Sequence, residues 1–597
     1  MLEVEATDGR ARNALWTPSP GQAVRTPALL VPDTSLLPVP AWAQATLTAT
    51  PKGKGVELVS GGTWFYPRDA PAGALVVPAV QPAPTTKVQL VPIGDEVAAF
   101  HDAAGWASNP KTFVPAFVEA RRLATPGRLL WAPGLGTPAD YAVWAYLGVD
   151  LFDASPLLLA ATRGQVLTSD GVLSADDAEK VLGAGPWDTA RIASHNLEAA
   201  RRELDLVRLH ISKGTLRTLA ERRSYASPPT VELLRRFDRE HSNLEAAAPR
   251  HRATPLPAMT SDSLWMPEVE AFRRSFRDAY EPPRQARVLV LLPCSQRKPY
   301  KLSRSHKFFA RALDDSGLRP LVHEVMVTSP LGLVPRDLEE AYPANQYDIP
   351  VTGHWMRDEE ALVREQLAAL LSKHDYDHVV VHTGQGTFDV LRDLLPEQVR
   401  HTCLKHPTSV EDCDRLKAEL LRIKGEMLAA HGNRIDLRAA SKERKLEDLR
   451  ALATFQFGAA VADDLVAGCE AVGRAPFVRL VRGDGTQVGM TTPERGVLSL
   501  TMEGAAILAR HQRNRVFIGD FRPKGTSSLF AVGVEGADPG VREGDEVVVV
   551  HKDQVRGAGV ARMSAEAMTH LKRGVAVGLR HTSESKPVRE PAIEVEA

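Results

Sequence analysis

A chain of 597 residues, 44% hydrophobic and 25% charged, is too long for one core; at about 150 residues per domain it implies about four domains. A formal net charge of -1 excludes a surface that attracts nucleic acid all over, so any RNA contact must come from local patches. Cys294, Cys403, Cys413 and Cys469 lie too far apart for a disulfide framework, a paired-CxxC zinc site or an iron–sulfur cluster, so neither metal nor cofactor is expected.

Taken in chain order, Met1–Glu5 lacks the basic-then-apolar pattern of a signal peptide. No apolar run reaches the ~18–20 residues of a membrane helix, so a cytoplasmic protein without membrane attachment is expected. Up to about His241 the chain mixes Pro-rich apolar segments with helical patterns and ends in an Arg-rich amphipathic run. That run, Arg201-Arg202, Arg208, Lys213, Arg217 and Arg222-Arg223, reads either as an RNA-facing surface or as a solvated helix face. Ser242–Pro257 reads as a linker, and Glu281-Pro282-Pro283-Arg284 marks another break.

Val288–Leu292 is a continuous apolar run ending in Pro293, the pattern of a strand buried on both faces of a parallel sheet. Leu321–Val327 and His378–Val381 read the same way, with a helical pattern over Glu359–Leu371 between them. Alternating strands and helices predict an α/β domain whose ligands lie at the carboxyl ends of the strands. Pro293-Cys294-Ser295 and His382–Gly386 both fall at that edge. A helix over Val410–Ala430 leads into a third region reaching Arg510. From Arg513 to His581, strand patterns at Val516–Phe521, Leu529–Val534, Glu546–Val550 and Gly574–Leu579, spaced by Gly and Asp turns, predict a small β-barrel. The last residues, 583–597, read as a disordered tail.

The densest chemistry lies between Pro293 and His306, where a thiol, cations, a phenol, hydroxyls and an imidazole fall within fourteen residues. Cations or a helix N-terminus lower a thiol's pKa, and the thiolate is the nucleophile. Arg297, Lys298 and Lys301 supply such charge, and His306 titrates near neutrality. From spacing alone, Cys294 reads equally as a nucleophile or as a small hydrophobe at a strand end. His306 reads as a proton carrier or as a hydrogen-bonded structural histidine.

Pro293-Cys294, Lys298-Pro299-Tyr300, Ser303 and His306 together resemble the signature of the archaeosine synthase family, paralogues of archaeal tRNA-guanine transglycosylase. Ser329–Pro335 and Tyr347–Trp355 resemble further segments of that catalytic domain. Asp8–Arg12, Thr26–Ala28, Gly148–Asp153 and Leu167–Gly171 resemble a transglycosylase's N-terminal region, with Asp153 at the position that attacks the ribose in active enzymes. No cysteine occurs over Gly183–Ser194, where that family carries its zinc ligands, so His195 reads as the orphan of a lost site. Asp520-Phe521, Lys524-Gly525, Glu543–Val547 and Arg580-His581 resemble a PUA domain, in which Arg522, Lys524, Arg542 and Arg562 would meet RNA phosphates.

The resemblance implies a multidomain α/β protein. Its parts are a degenerate transglycosylase-type (β/α) barrel over 1–245, an α/β catalytic domain over 285–432, a small α+β domain over 435–511 and a PUA β-barrel over 513–582. It implies a tRNA substrate whose D-arm carries 7-cyano-7-deazaguanine. The nitrile becomes an amidine by adding an amine donor, with free lysine favoured and glutamine or ammonia as alternatives, and a radical-SAM partner then cleaves the adduct. On this reading Cys294 is the nucleophile, His306 the proton donor and Lys298 the cation that activates the thiol or binds a carboxylate, while Tyr300 and Ser303 give hydrogen bonds. Ser295, Asp348, Gly384, Gln385 and Gly386 would contact substrate, and Asp337, Glu339, Glu340 and Asp348 are carboxylates for the donor's ammonium groups. A homodimer follows by analogy. The competing expectations are an active transglycosylase using Asp153 and a non-catalytic tRNA-binding scaffold.

Overall fold

The N-terminal strands Leu2–Asp8 and Ala11–Trp16 form an antiparallel hairpin. Gly9, at φ +61, supplies the left-handed turn between them. In this computed structural model the described residues are 2–18, 23–32, 38–49, 56–58, 62–64, 88–93, 95–100, 103–240, 246–351, 353–431, 436–525 and 528–583. The expected tail from Glu584 onward and residues 242–245 of the expected linker lie outside them.

Behind the hairpin lies one eight-stranded sheet. Ala45–Ala49, Ala28–Pro32, Leu151–Asp153, Leu129–Trp131 and Val97–Phe100 run parallel at its centre. Apart from Leu90–Ile93, each strand neighbours its predecessor in the chain, and Leu151–Asp153 pairs back onto Ala28–Pro32. Among the described residues, no ladder joins Gly62–Trp64 to Leu90–Ile93. Helices over Pro110–Ala124, Tyr141–Leu147, Thr189–Lys213 and Pro228–Asp238 cover the sheet, with Phe100, Phe113, Phe117, Trp144 and Phe237 in one aromatic core. The buried Arg12 guanidinium donates to both oxygens of Asp150 at 2.8 and 2.9 Å, satisfying a pair that would otherwise be costly to desolvate.

The next sheet has the order Gly332–Pro335, Val322–Thr328, Val288–Pro293, His378–Val381, Arg400–His401, with only its first strand antiparallel. The predicted strands and the helices at Arg357–Lys373 and Val410–His431 are present, and the antiparallel Gly332–Pro335 strand is an addition. The chain leaves Val288–Pro293, crosses by the Arg304–Ser316 helix to Val322–Thr328, and returns to the opposite side at His378–Val381. The strand order therefore reverses between Val288–Pro293 and His378–Val381, the position where open α/β sheets bind ligands.

The Leu437–Phe457 helix serves two cores. Its Ala440, Ala451 and Leu452 pack on the α/β sheet, while Leu449, Ala453 and Phe457 pack on the next unit. That unit is an antiparallel meander, Cys469–Arg474, Phe477–Arg482, Gln487–Thr492 and Val497–Leu500, closed by the Met502–Arg510 helix. The C-terminal region is a six-stranded sheet. Its Gln554–Ala561 strand is absent from the sequence reading because Gly557 and Gly559 resemble turn residues. A Cβ at Gly559 would lie 2.3 Å from the Gly578 carbonyl, so glycine there permits close approach of the neighbouring strand.

Buried ion pairs bind the units together. Glu546 accepts from Arg495 of the meander at 2.6 Å and from Arg580 at 2.9 Å. Arg252 reaches Asp8 at 2.7 Å and Glu268 at 2.8 Å. The Arg250 backbone N–H donates to the Glu543 carbonyl at 2.7 Å. Residues 246–257, expected as a linker, are thus wired into three units. No helix among the described residues is long and apolar enough to cross a membrane.

Candidate active site

Cys294 follows the central strand at the point of reversal. Leu291 pairs with Val381 and Pro293 with Val327, so Cys294 leaves the sheet at the carboxyl ends of both neighbouring strands, just before the position of Thr328 on one side and after Val381 on the other. The thiol is half-buried. Lys298, four residues on, curls back so that its ammonium sits 3.8 Å from the centre of the Tyr347 ring, a cation–π contact. Burial lowers the Lys298 pKa, and the charges of Cys294 and Asp348 oppose that shift. The structure therefore brings together Cys294, Lys298 and the exposed Asp348.

Tyr300 and Ser303 support this group from behind. Tyr300 is fully buried, and its hydroxyl meets the Tyr347 hydroxyl at 2.6 Å; Tyr347 in turn bonds to Thr328. Burial, followed by the neighbouring Tyr347, raises the Tyr300 pKa far above its usual value. Ser303 caps the Arg304–Ser316 helix by accepting from the His306 N–H at 3.2 Å. Ser295 is spent inside the loop, donating to the Arg297 carbonyl at 2.9 Å.

His306 has both ring nitrogens engaged. Arg336, which can only donate, reaches Nδ1 at 2.9 Å, so Nε2 carries the proton and donates it to the Pro293 carbonyl at 3.0 Å. Burial, helped by Arg336, pulls its pKa down to about 3 and keeps the ring neutral. His306, expected as a proton donor, is thus buried and braced between Arg336 and the carbonyl of the residue preceding Cys294. Arg336 is held by Glu324 at 2.9 Å and Glu339 at 2.8 Å, and Glu339 also accepts from the Lys301 N–H at 3.0 Å. Arg336, Glu324, Thr328 and Tyr347 were missed as site residues in the sequence. Tyr347 and Thr328 lie in or beside segments with the family resemblance, whereas nothing local marks Glu324 on its strand.

Of the four carboxylates expected to receive an ammonium group, three are buried or already paired. The Asp337 side chain is buried, with its pKa raised to about 7 by burial and Asp448. Glu339 is bound to Arg336, and Glu340 to Lys301. Only Asp348 is open.

The opposing wall is the His382–Gly386 turn. It is fixed by His382, which bonds to Thr402 at 2.9 Å and the Pro407 carbonyl at 2.8 Å. His401 also holds the Thr383 carbonyl at 2.8 Å, and its ring stacks on Phe388. Space above Gly384 and Gly386 is open, and the Gln385 amide turns away to Asp389 at 2.7 Å.

Elsewhere the placements differ. Asp153 is fully buried, accepting from Gly134 N at 2.7 Å, Ser155 N at 3.0 Å and Trp131 Nε1 at 3.3 Å, an environment that occupies the carboxylate structurally. His195 spends Nε2 on the Leu167 carbonyl at 3.1 Å. Arg522, Lys524 and Arg562 are exposed, but Arg542 is buried at 4% exposure in the junction between units, which corrects its reading as a phosphate contact. Within the Arg-rich run, Arg201, Arg202 and Arg208 pair with Glu198 and Asp205, while Arg217 and Arg223 bind Glu221, Asp238 and Glu203. Most of that run is internally neutralised.

Residues 269–420 match a family described as Domain of unknown function (DUF5591), and residues 523–582 match the PUA domain. The chain is 35% identical to the archaeosine synthase subunit alpha of Methanosarcina acetivorans, over 79% of this chain and 77% of that one. It is 32% identical to the archaeosine synthase of Haloferax volcanii, over 82% and 83%. A more distant relative, the tRNA-guanine(15) transglycosylase of Methanobrevibacter smithii, is 26% identical over 75% of this chain and 65% of that one. At 35% and 32% identity to these two proteins, over 79% and 82% of its own length, the chain belongs to the archaeosine synthase family.

Proposed function

We propose that this protein acts in archaeosine biosynthesis on tRNA, converting the nitrile of a 7-cyano-7-deazaguanine base to an amidine with free lysine as amine donor. The observation that carries this reading is the grouping of the Cys294 thiol, the Lys298 ammonium and the Asp348 carboxylate at the point of strand reversal. The Cys294 thiolate adds to the nitrile carbon, forming a C–S bond while the nitrile nitrogen takes a proton from Lys298. The product is a thioimidate. The donor amine then attacks that carbon, the C–S bond breaks, the thiolate leaves and the amine's extra proton returns to Lys298. One difficult addition becomes two easier steps. Asp348 receives the donor's second ammonium group. His306 and Arg336 act through the loop and touch no reacting atom. The lysine adduct passes to a radical-SAM partner for cleavage.

The test is mass spectrometry of nucleosides from nitrile-bearing tRNA incubated with the protein and lysine. A gain equal to one lysine, lost in Cys294→Ala, is expected. A gain that survives Cys294→Ala would remove the covalent step, and no gain with lysine, glutamine or ammonia would remove the transferase reading.

A further inference from the structure

We infer that the Pro228–Asp238 helix, with the Tyr225 turn before it, is an RNA-binding strip that takes the sugar–phosphate backbone of folded tRNA and stacks one base on Tyr225. The inference rests on the reading that tRNA is the substrate, and it assigns RNA contact to an element outside both the cysteine crevice and the C-terminal barrel.

Over Leu216–Arg239 the sequence carries six arginines, no lysine and three carboxylates, in a chain whose net charge is -1. The buried Arg217 accounts for Glu221 and Asp238. Of the other five, Arg223 pairs with Glu203, Arg235 with Asp262 and Arg236 with Glu232, while the exposed Arg222 and Arg239 add positive charge. Val231, Glu232, Arg235, Arg236 and Arg239 recur at helical spacing and line one open cleft with Tyr225. An eleven-residue helix is about 16 Å long, enough to follow several nucleotides of one strand.

The cleft is organised before any ligand arrives. Asp262, only 4% exposed, accepts from the Tyr225 hydroxyl at 2.9 Å and from Arg235 Nε at 2.7 Å. One buried carboxylate thus fixes an aromatic ring and a guanidinium side by side. Tyr225 remains 53% exposed, so its ring is presented rather than packed. Glu232 braces Arg236 through Nε at 2.7 Å, which leaves the outer guanidinium nitrogens to face a ligand. Arg222 and Arg239 are exposed. Planar guanidinium forks suit phosphate oxygens, and an exposed tyrosine ring suits an unstacked base.

The strip is also tied to the α/β unit. Asp262 lies in the short turn Ser261–Trp265, and the Leu264 carbonyl accepts from Arg273 at 2.7 Å. Arg273 also donates to the Pro330 carbonyl at 3.2 Å, two residues from Thr328 beside the crevice. A tRNA lying across both units would be held in register with the cysteine by this chain of contacts.

The test uses the full-length protein and a tRNA transcript, with fluorescence anisotropy titrations between 50 and 200 mM salt, where phosphate contacts dominate the salt dependence. The Arg222→Ala/Arg239→Ala double variant should flatten the log Kd against log salt slope by about 1.5 to 2, in line with two lost phosphate contacts. Tyr225→Ala should weaken binding at least about five-fold, while Tyr225→Phe should retain the ring's contribution. Thermal midpoints close to the parent's show that the variants are folded. If the parent binds tRNA and the double variant and Tyr225→Ala match it in affinity and slope, the strip is not an RNA site. If the parent itself fails to bind tRNA, the substrate reading falls and takes the strip with it, so the two failures are told apart.

Discussion

At the scale of single residues, Tyr347 is the hinge between structure and chemistry. Its hydroxyl joins Tyr300 and Thr328, and its ring face carries the Lys298 ammonium. The two jobs can be separated. Tyr347→Phe keeps the ring but strands buried hydroxyl partners, so it should cost about 1–3 kcal/mol of stability with the lysine still seated. Tyr347→Leu also removes the ring beneath the cation, worth about 0.5–2 kcal/mol, and should lose adduct formation out of proportion to its stability. Chemical denaturation alongside turnover on nitrile-bearing tRNA checks both, and equal turnover by the two variants would refute the assignment. The sequence made Cys294 and Lys298 legible because they stand four positions apart in one loop. It could not reveal that Tyr347, forty-nine residues beyond Lys298, lies beneath that lysine, since tertiary contacts place it there: its pairing with Leu256 and its bonds to Tyr300 and Thr328.

At the scale of elements, the Arg304–Ser316 helix delivers His306 to the strand end. Its buried residues His306, Phe309, Ala312, Leu313 and Ser316 repeat at helical spacing. Ser303 begins the helix and Gly317, at φ +65, ends it. Ser303→Ala removes the cap and should destabilise by about 1 kcal/mol. The cap lies within hydrogen-bonding distance of the His306 backbone, so adduct formation should fall with it; thermal melts and the nucleoside assay read the two effects. The three core strands were legible because continuous apolar runs suit strands buried on both faces. The order of those strands was not, because a buried run records burial and says nothing about which neighbour provides it. The antiparallel Gly332–Pro335 strand was hidden for a related reason: four residues give too short a pattern to distinguish a strand from a loop.

At the scale of the whole molecule, neutral histidines set its response to acid. Burial is the first cause in each of His195, His251, His306, His323, His382 and His581 of a pKa below the usual value, with His306 at about 3. The unfolded chain takes up protons on these rings as pH falls below about 6.5, whereas the folded protein does not. Through these rings the unfolded state binds more protons in that window, and their contribution to stability falls as pH drops, continuing toward pH 3 for His306, while the raised carboxyls of Asp337, at about 7, and Asp238, at about 6, act in the opposite sense. Thermal midpoints recorded from pH 7 to pH 4 should decline from about pH 6.5, above the range in which ordinary carboxylates titrate. If the midpoint stays flat down to pH 5 in Asp337→Asn and Asp238→Asn variants as well, these rings are not held neutral.

The meander and the α/β unit meet where the turn at Gly496 lies on the backbone of Glu340 and Ala341. A Cβ built on Gly496 would stand 1.6 Å from the Glu340 carbonyl oxygen and 2.6 Å from the Ala341 nitrogen. Gly496 also has φ +63, so space and backbone conformation both reserve the position for glycine. Engineers would call this a joint with no clearance. Its consequence is one of interchangeability: a meander taken from another protein could be seated here only if it arrived with its own glycine at this turn. Any other residue would push against the loop whose Glu339 and Glu340 hold Lys301, seven residues beyond the cysteine.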